Sequence, residues 1–179
     1  HFKYVNEKAC LLSIKAKELS KKDILIAGSL PCQFDTYVED KRDSKIIEKD
    51  FYQQAEIIGP HVDFLYLDVI SSGREIDIAS NVAAKLNKHV LVWVHLKKNG
   101  LLSTGETLSA ICHKYKNDNW IGLIGACVSP AIAEKCASDM SKLTLPFGFK
   151  ANLWKVKEPT PVKTFNTAKP NDVGTNPHI

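Results

Sequence analysis

The sequence predicts an α/β fold built on a parallel sheet, and three observations carry that prediction. Apolar runs rich in Ile, Val and Leu alternate with segments of helical period. The runs begin at intervals of roughly 25 to 40 residues, the length of one βα unit. The clearest run, WIGLIGACVSP from Trp120 to Pro130, is apolar and Gly-spaced until Ser129-Pro130 stops it, as expected of a strand buried on both faces.

Taken in order, apolar periodicity predicts a helix over 6–19 (NEKACLLSIKAKEL) and a strand over 24–30. A helix over 44–58 and a strand over 62–70 follow. Next come a helix over 74–86, a strand over 90–96, a helix over 107–115 and a strand over 121–127, whose carboxyl-terminal tip is Cys127. The tips of parallel strands are where α/β folds keep their chemistry. A helix over 130–140 and a last apolar run over 145–149 complete the series. On the strand over 90–96, Trp93 and His95 are expected to point to opposite faces, with His95 packing or hydrogen-bonding locally.

Two architectures satisfy this alternation: a five-stranded doubly wound sheet, or part of a (β/α)8 barrel, which normally needs about 250 residues. A doubly wound domain usually opens on a strand, whereas this chain opens on His1 and a helix, as expected of a barrel entered partway. The Gly-rich loop of nucleotide-binding doubly wound folds is missing, because Gly28-Ser29-Leu30-Pro31 carries a single Gly.

With 179 residues and 44% hydrophobic content, the chain can fill one substantial core. The formal charge of +4 is spread along the sequence, which argues against a nucleic-acid surface. No apolar run approaches the roughly 20 residues of a membrane span. No signal-peptide pattern opens the chain. The five cysteines form no C-x-x-C pair, and an odd count without a framework predicts reduced thiols and a cytoplasmic setting. Cys10, Cys112 and Cys136 fall in helical patterns and read as small buried hydrophobes. Cys32 and Cys127 each follow a strand.

Five strings then occur in one order: ILIAGSLPCQFDTY (Ile24 to Tyr37), LYLDVISS (Leu65 to Ser72), KKNGLLSTGETLSAI (Lys97 to Ile111), IGACVSPAI (Ile124 to Ile132) and GFKANLW (Gly148 to Trp154). Together they resemble the homocysteine S-methyltransferase family. The resemblance implies a zinc-dependent (β/α)8 barrel that transfers a methyl group from an onium donor such as S-methylmethionine or betaine to homocysteine, giving methionine. Zinc binding would deprotonate the acceptor thiol, and three protein thiolates would leave one open position for it.

The resemblance carries over residue by residue. Cys127 matches the first zinc cysteine of the family, Asp68 stands for the Glu that grips the amino group of homocysteine, and Asn152 matches the Asn after the seventh strand. Ser29 joins Asp68 and Asn152 as a substrate-binding candidate on the same rim. Asp68 is one methylene shorter than Glu and reads equally well as a cap for the next helix. Ala126 replaces the usual Asn before the zinc cysteine, and Cys32 reads as an incidental loop thiol.

The tail departs from the pattern. Asp172-Val173-Gly174 and Thr175-Asn176-Pro177-His178-Ile179 resemble the two flanks of the family's Gly-Gly-Cys-Cys motif with its centre removed. The expectation is one barrel domain over residues 1–179, holding strands that correspond to about the third to the seventh with a fragment of the eighth. It would be incomplete at its N-terminus and interrupted near 174–175. A homo-oligomer is compatible with this reading. The rivals are a zinc-free barrel homologue that binds a metabolite or regulates, and an unrelated five-stranded metabolite-binding domain.

Overall fold

A computed structural model describes residues 1–151. Asn152 and the break expected near 174–175 lie outside the described residues. Five strands, β1 (Ala27–Pro31), β2 (Phe64–Ile70), β3 (Val90–His95), β4 (Trp120–Val128) and β5 (Phe147–Ala151), alternate with five helices. These are α1 (Phe2–Ser20), α2 (Ser44–Ile58), α3 (Gly73–Lys85), α4 (Leu108–Tyr115) and α5 (Pro130–Met140), with a 3-10 turn at Gly59–His61 after α2.

Every element expected from periodicity is present, and the largest shifts fall at the ends. The first helix reaches back to Phe2. β1 starts at Ala27 rather than Ile24, because Asp63 Oδ2 takes the Ile26 N–H at 2.6 Å and holds the approach outside the ladder. β5 starts at Phe147, after Pro146, which has no N–H to give the sheet. Four helices begin where the sequence supplies a cap: Asp43, Ser72, Thr107 and Ser129 each accept an N–H of the first turn.

All four pairings are parallel and the strand order is β1-β2-β3-β4-β5. Consecutive right-handed crossovers in one direction put the helices on one face, and the described sheet lacks the order reversal of a doubly wound fold. On the helix face, Leu30, Leu65, Leu67, Val90, Val92, Val94 and Leu123 pack beneath Ile47, Phe51 and Ala55 of α2 and Ile76, Ala79 and Val82 of α3, all fully buried. A Cβ on Gly28 would lie 3.0 Å from Val62 and 3.2 Å from Ile58, which marks the same outer layer.

The inner face therefore carries Ser29, Tyr66, Asp68, Leu91, Trp93 and His95. Trp93 and His95 share it, contrary to expectation, since residues two apart on a strand return to one side. The Trp93 ring packs on Tyr66 at 5.0 Å, and the Lys150 ammonium lies over the Trp93 ring, 5.0 Å from its centroid. Gly122 admits Leu91 to this layer: a Cβ there would come within 2.8 Å of Leu91 Cδ1 and 3.2 Å of Pro146 O.

β2 and β4 each break register near their carboxyl ends, between Leu67 and Ile70 and between Ala126 and Val128. Both breaks contain a residue with left-handed backbone, Val69 at φ 57° and Cys127 at φ 58°. Each is a bulge of the kind that re-aims a side chain at a strand tip.

Candidate functional site

The two bulges place Asp68 and Cys127 on the same, carboxyl-terminal end of the sheet, on strands separated by β3. A non-glycine residue in the left-handed region costs of order 1–3 kcal/mol, and such residues cluster at functional sites. Asp68 is half-buried, opposite Pro31 in the ladder, and accepts a long contact from Tyr66 Oη at 3.5 Å. It does not cap the following helix. Ser72 does so, through the Glu75 N–H at 3.2 Å.

Between the two tips sits Tyr37, delivered by the loop that follows β1. Its hydroxyl is 3.5 Å from Cys127 Sγ and its ring packs against His95 at 4.5 Å, tilted by 56°. Burial, then the hydrogen bond with Cys127, then the charges of Cys127, Cys32 and Asp68 push the Tyr37 phenol well above the ordinary tyrosine range. The hydroxyl thus keeps its proton at any ordinary pH. Cys32, just past β1, is half-buried with its thiol 3.7 Å from Thr36 Oγ1, and burial pushes that thiol upward.

Ser29 stands level with Tyr66, one layer below Asp68 rather than on the rim. The structure brings Asp68, Cys127 and Cys32 around Tyr37 and leaves Ser29 deeper. Sequence reasoning missed Tyr37 because its contact with Cys127 spans 90 positions and no local pattern marks it. Cys10 and Cys112 are buried in the core, as small hydrophobes are, while Cys136 is half-buried with its thiol 3.9 Å from Gly100 O.

The run from Gly100 to Leu108 follows β3 and is tied to the neighbouring loop and helix. Glu106 Oε2 accepts the Gly73 N–H at 3.0 Å and the Thr104 hydroxyl at 2.6 Å, while Oε1 takes the Tyr115 hydroxyl at 3.4 Å. Ser103 Oγ donates to Ser71 O at 2.6 Å. Glu106 so ties the loop after β3 to the first turn of α3, where a carboxylate also meets the positive helix end. Only glycine fits at position 73, since a Cβ would lie 2.2 Å from the Tyr115 ring.

A singly wound parallel sheet with a carboxylate and a thiol on its carboxyl-terminal tips defines an α/β chain of the class whose chemistry lies in the loops after the strands. The chain belongs to the homocysteine S-methyltransferase family, whose model matches residues 1–172. It is similar in structure to the homocysteine methyltransferase MmuM from Escherichia coli. Against the apo form the TM-score is 0.71 at 18% identity, covering 84% of this chain and 60% of that one. Against the metallated form it is 0.70 at 20% identity, covering 86% and 59%. At such identities the likeness shows the fold, and the chain spans about three fifths of those chains' length. No curated protein sequence matches it.

The donor set at the mouth does not fit a catalytic zinc ion by itself. Among the described residues no three His, Cys, Asp or Glu side chains converge to hold a metal. Cys127 has a phenol, not a second thiol, as its hydrogen-bond partner.

Proposed function

We propose that this chain forms most of a cytoplasmic (β/α)8 enzyme that methylates the sulfur of homocysteine, giving methionine, with an onium compound such as S-methylmethionine or betaine as donor. One observation carries the reading: Asp68 and Cys127 occupy matching bulges on one end of one sheet, as the polar and sulfur-handling ends of a small amino thiol require. Asp68 pairs with the substrate ammonium, and Ser29 and Asn152 are the further candidates for binding the substrate. Cys127 is the single zinc ligand contributed by the described residues, and the other two thiolates would come from outside them. Zinc, when bound, supplies thiol acidity.

The chemistry is a displacement in which the substrate sulfur forms a bond to the methyl carbon as the bond from that carbon to the donor's positive atom breaks, leaving a neutral product. This chain's residues bind and orient: the carboxylate anchors the amino acid so that its thiol faces the Cys127 tip. Replacing Asp68 with Asn removes a charge-assisted pair worth about 1.5–3 kcal/mol, so homocysteine should bind roughly 10- to 150-fold more weakly. Calorimetric titration with homocysteine and with its desamino analogue tests this. Equal weakening of both ligands, or of neither, would sink the assignment.

A second reading, a metabolite-binding homologue without transfer, draws on the incomplete metal donor set. Binding of homocysteine without methionine formation from any onium donor, in the presence of zinc, would favour it.

A further inference from the structure

The loop from Cys32 to Asp43 is a strap fastened at its far end. Asp40, 2% exposed, receives Arg42 through Nε at 3.1 and 3.0 Å and Nη2 at 2.7 Å, while Arg42 Nη1 reaches Asp50 of α2 at 2.9 Å. Arg42 Nη2 also bonds Gln33 O at 3.3 Å, closing the strap on itself. The Asp40 N–H donates to buried Glu75 of α3 at 3.4 Å, and Arg74 grips Arg42 O and, at 3.2 Å, Ser44 Oγ. At its near end Gln33 Nε2 donates to Pro31 O at 2.7 Å. Between these anchors Tyr37 has a left-handed backbone, φ 70°, which turns its side chain down onto His95 and Cys127. A bulky residue adopts that conformation only where its surroundings hold it there.

We propose that Tyr37 is a positioning residue for Cys127: the anchored strap presses its phenol onto the thiol, orienting Sγ toward the inner face and setting how readily a small molecule reaches it. The inference rests on the reading of Cys127 as the sulfur that matters at this mouth, and it deepens that reading. It adds a residue that touches Cys127 from a loop rather than from a strand tip, and it predicts that residues remote from the sulfur govern access to it.

Site-resolved alkylation of the 179-residue chain by iodoacetamide, followed by mass spectrometry, tests the proposal without homocysteine, donor or metal, so failure of the methyl-transfer reading leaves its outcome untouched. Tyr37→Ala should speed modification of Cys127 about tenfold, the factor expected for loss of one hydrogen bond and its cover, with Cys136 unchanged. Tyr37→Phe, which keeps the ring contact with His95, should give a smaller rise. Arg42→Met, which touches neither sulfur, should move Cys127 in the same direction by releasing the strap. Faster labelling of core Cys10 and Cys112 would reveal an unfolded variant, and Tyr37→Phe then decides. Cys127 rates equal to wild type in a folded Tyr37 variant would overturn the proposal. A rise at Cys127 on Tyr37→Ala without any on Arg42→Met would overturn the role of the anchors.

Discussion

Glu106 is the side chain on which the loop after β3 depends, and its removal has a size that follows from the structure. Glu106→Ala leaves the Gly73 N–H and the Tyr115 hydroxyl without their acceptor, while the more exposed Thr104 hydroxyl turns to water. Hydrogen bonds to a charged group contribute about 1.5–3 kcal/mol when buried, and the half-buried position here brings the sum to about 2 kcal/mol. For a chain of this size that lowers Tm by roughly 4–8 °C. Thermal unfolding followed by circular dichroism measures it. Glu106→Gln, which keeps one acceptor oxygen, should lose about half as much. Glu106→Ala and Tyr115→Phe should be less than additive, with a coupling of about 0.5–1 kcal/mol, because they remove the same contact. If Glu106→Ala costs less than about 0.5 kcal/mol, the usual range for a surface change, the Glu106 bridge does not hold this loop.

Two further outcomes are expected. Trp120→Phe should cost about 1–2 kcal/mol, because the indole N–H donates to fully buried Ser80 Oγ at 2.9 Å and phenylalanine leaves that hydroxyl unpaired; denaturant titration with an unchanged slope would register it, and a neutral result would mean the hydroxyl finds another partner. Burial pushes the Glu75 carboxyl above its ordinary value, against the hydrogen bond from Ser72 Oγ at 2.6 Å. A raised folded-state value means that Glu75 contributes stability below the unfolded value of 4.5 and loses it as pH rises through the folded value. Glu75→Gln should therefore gain on the wild type as pH rises above about 4.5. Asp40 does not blur that window: burial raises its carboxyl, but the bonds from Arg42 outweigh this and hold it low, so its contribution is lost only in more acid solution. A constant difference between the two proteins over that range would contradict the assignment.

Periodicity made the layers legible because each buried position repeats at its element's period: Ile47, Phe51, Ala55 and Ile58 along α2, and Val90, Val92 and Val94 along β3. The cap of α3 is equally local, yet in the sequence Asp68 reads as a cap for it where Ser72 does the capping. Asp68 and Cys127 could be placed at strand tips for the same reason. What periodicity could not reach was contact between loops distant in sequence. Tyr37 meets Cys127 through a backbone turn that no residue type announces. Glu106 stood inside a motif without its role being visible, because its partners Gly73 and Tyr115 lie on two other elements. The pairing of Trp93 with Tyr66 depends on inter-strand register, which the bulge after Leu67 shifts.

The paired bulges carry a consequence for how this scaffold tolerates change. Leu67 and Ile70 both face the helices although three steps separate them, and Gly125 and Val128 do the same on β4. One residue on each strand is absorbed outside the alternation, so the helix-facing layer resumes in phase beyond it. Side chains at Asp68 and Cys127 can therefore be exchanged without moving Ile70 or Val128, which anchor the next connection in the core. Deleting one residue from either bulge would do the opposite, rotating Ile70 or Val128 toward the mouth and drawing the following polar segment, Ser71-Ser72 or Ser129, under the helices. The mouth is in this sense a replaceable fitting on a fixed frame: substitution there should alter chemistry, and loss of a single residue should alter the fold.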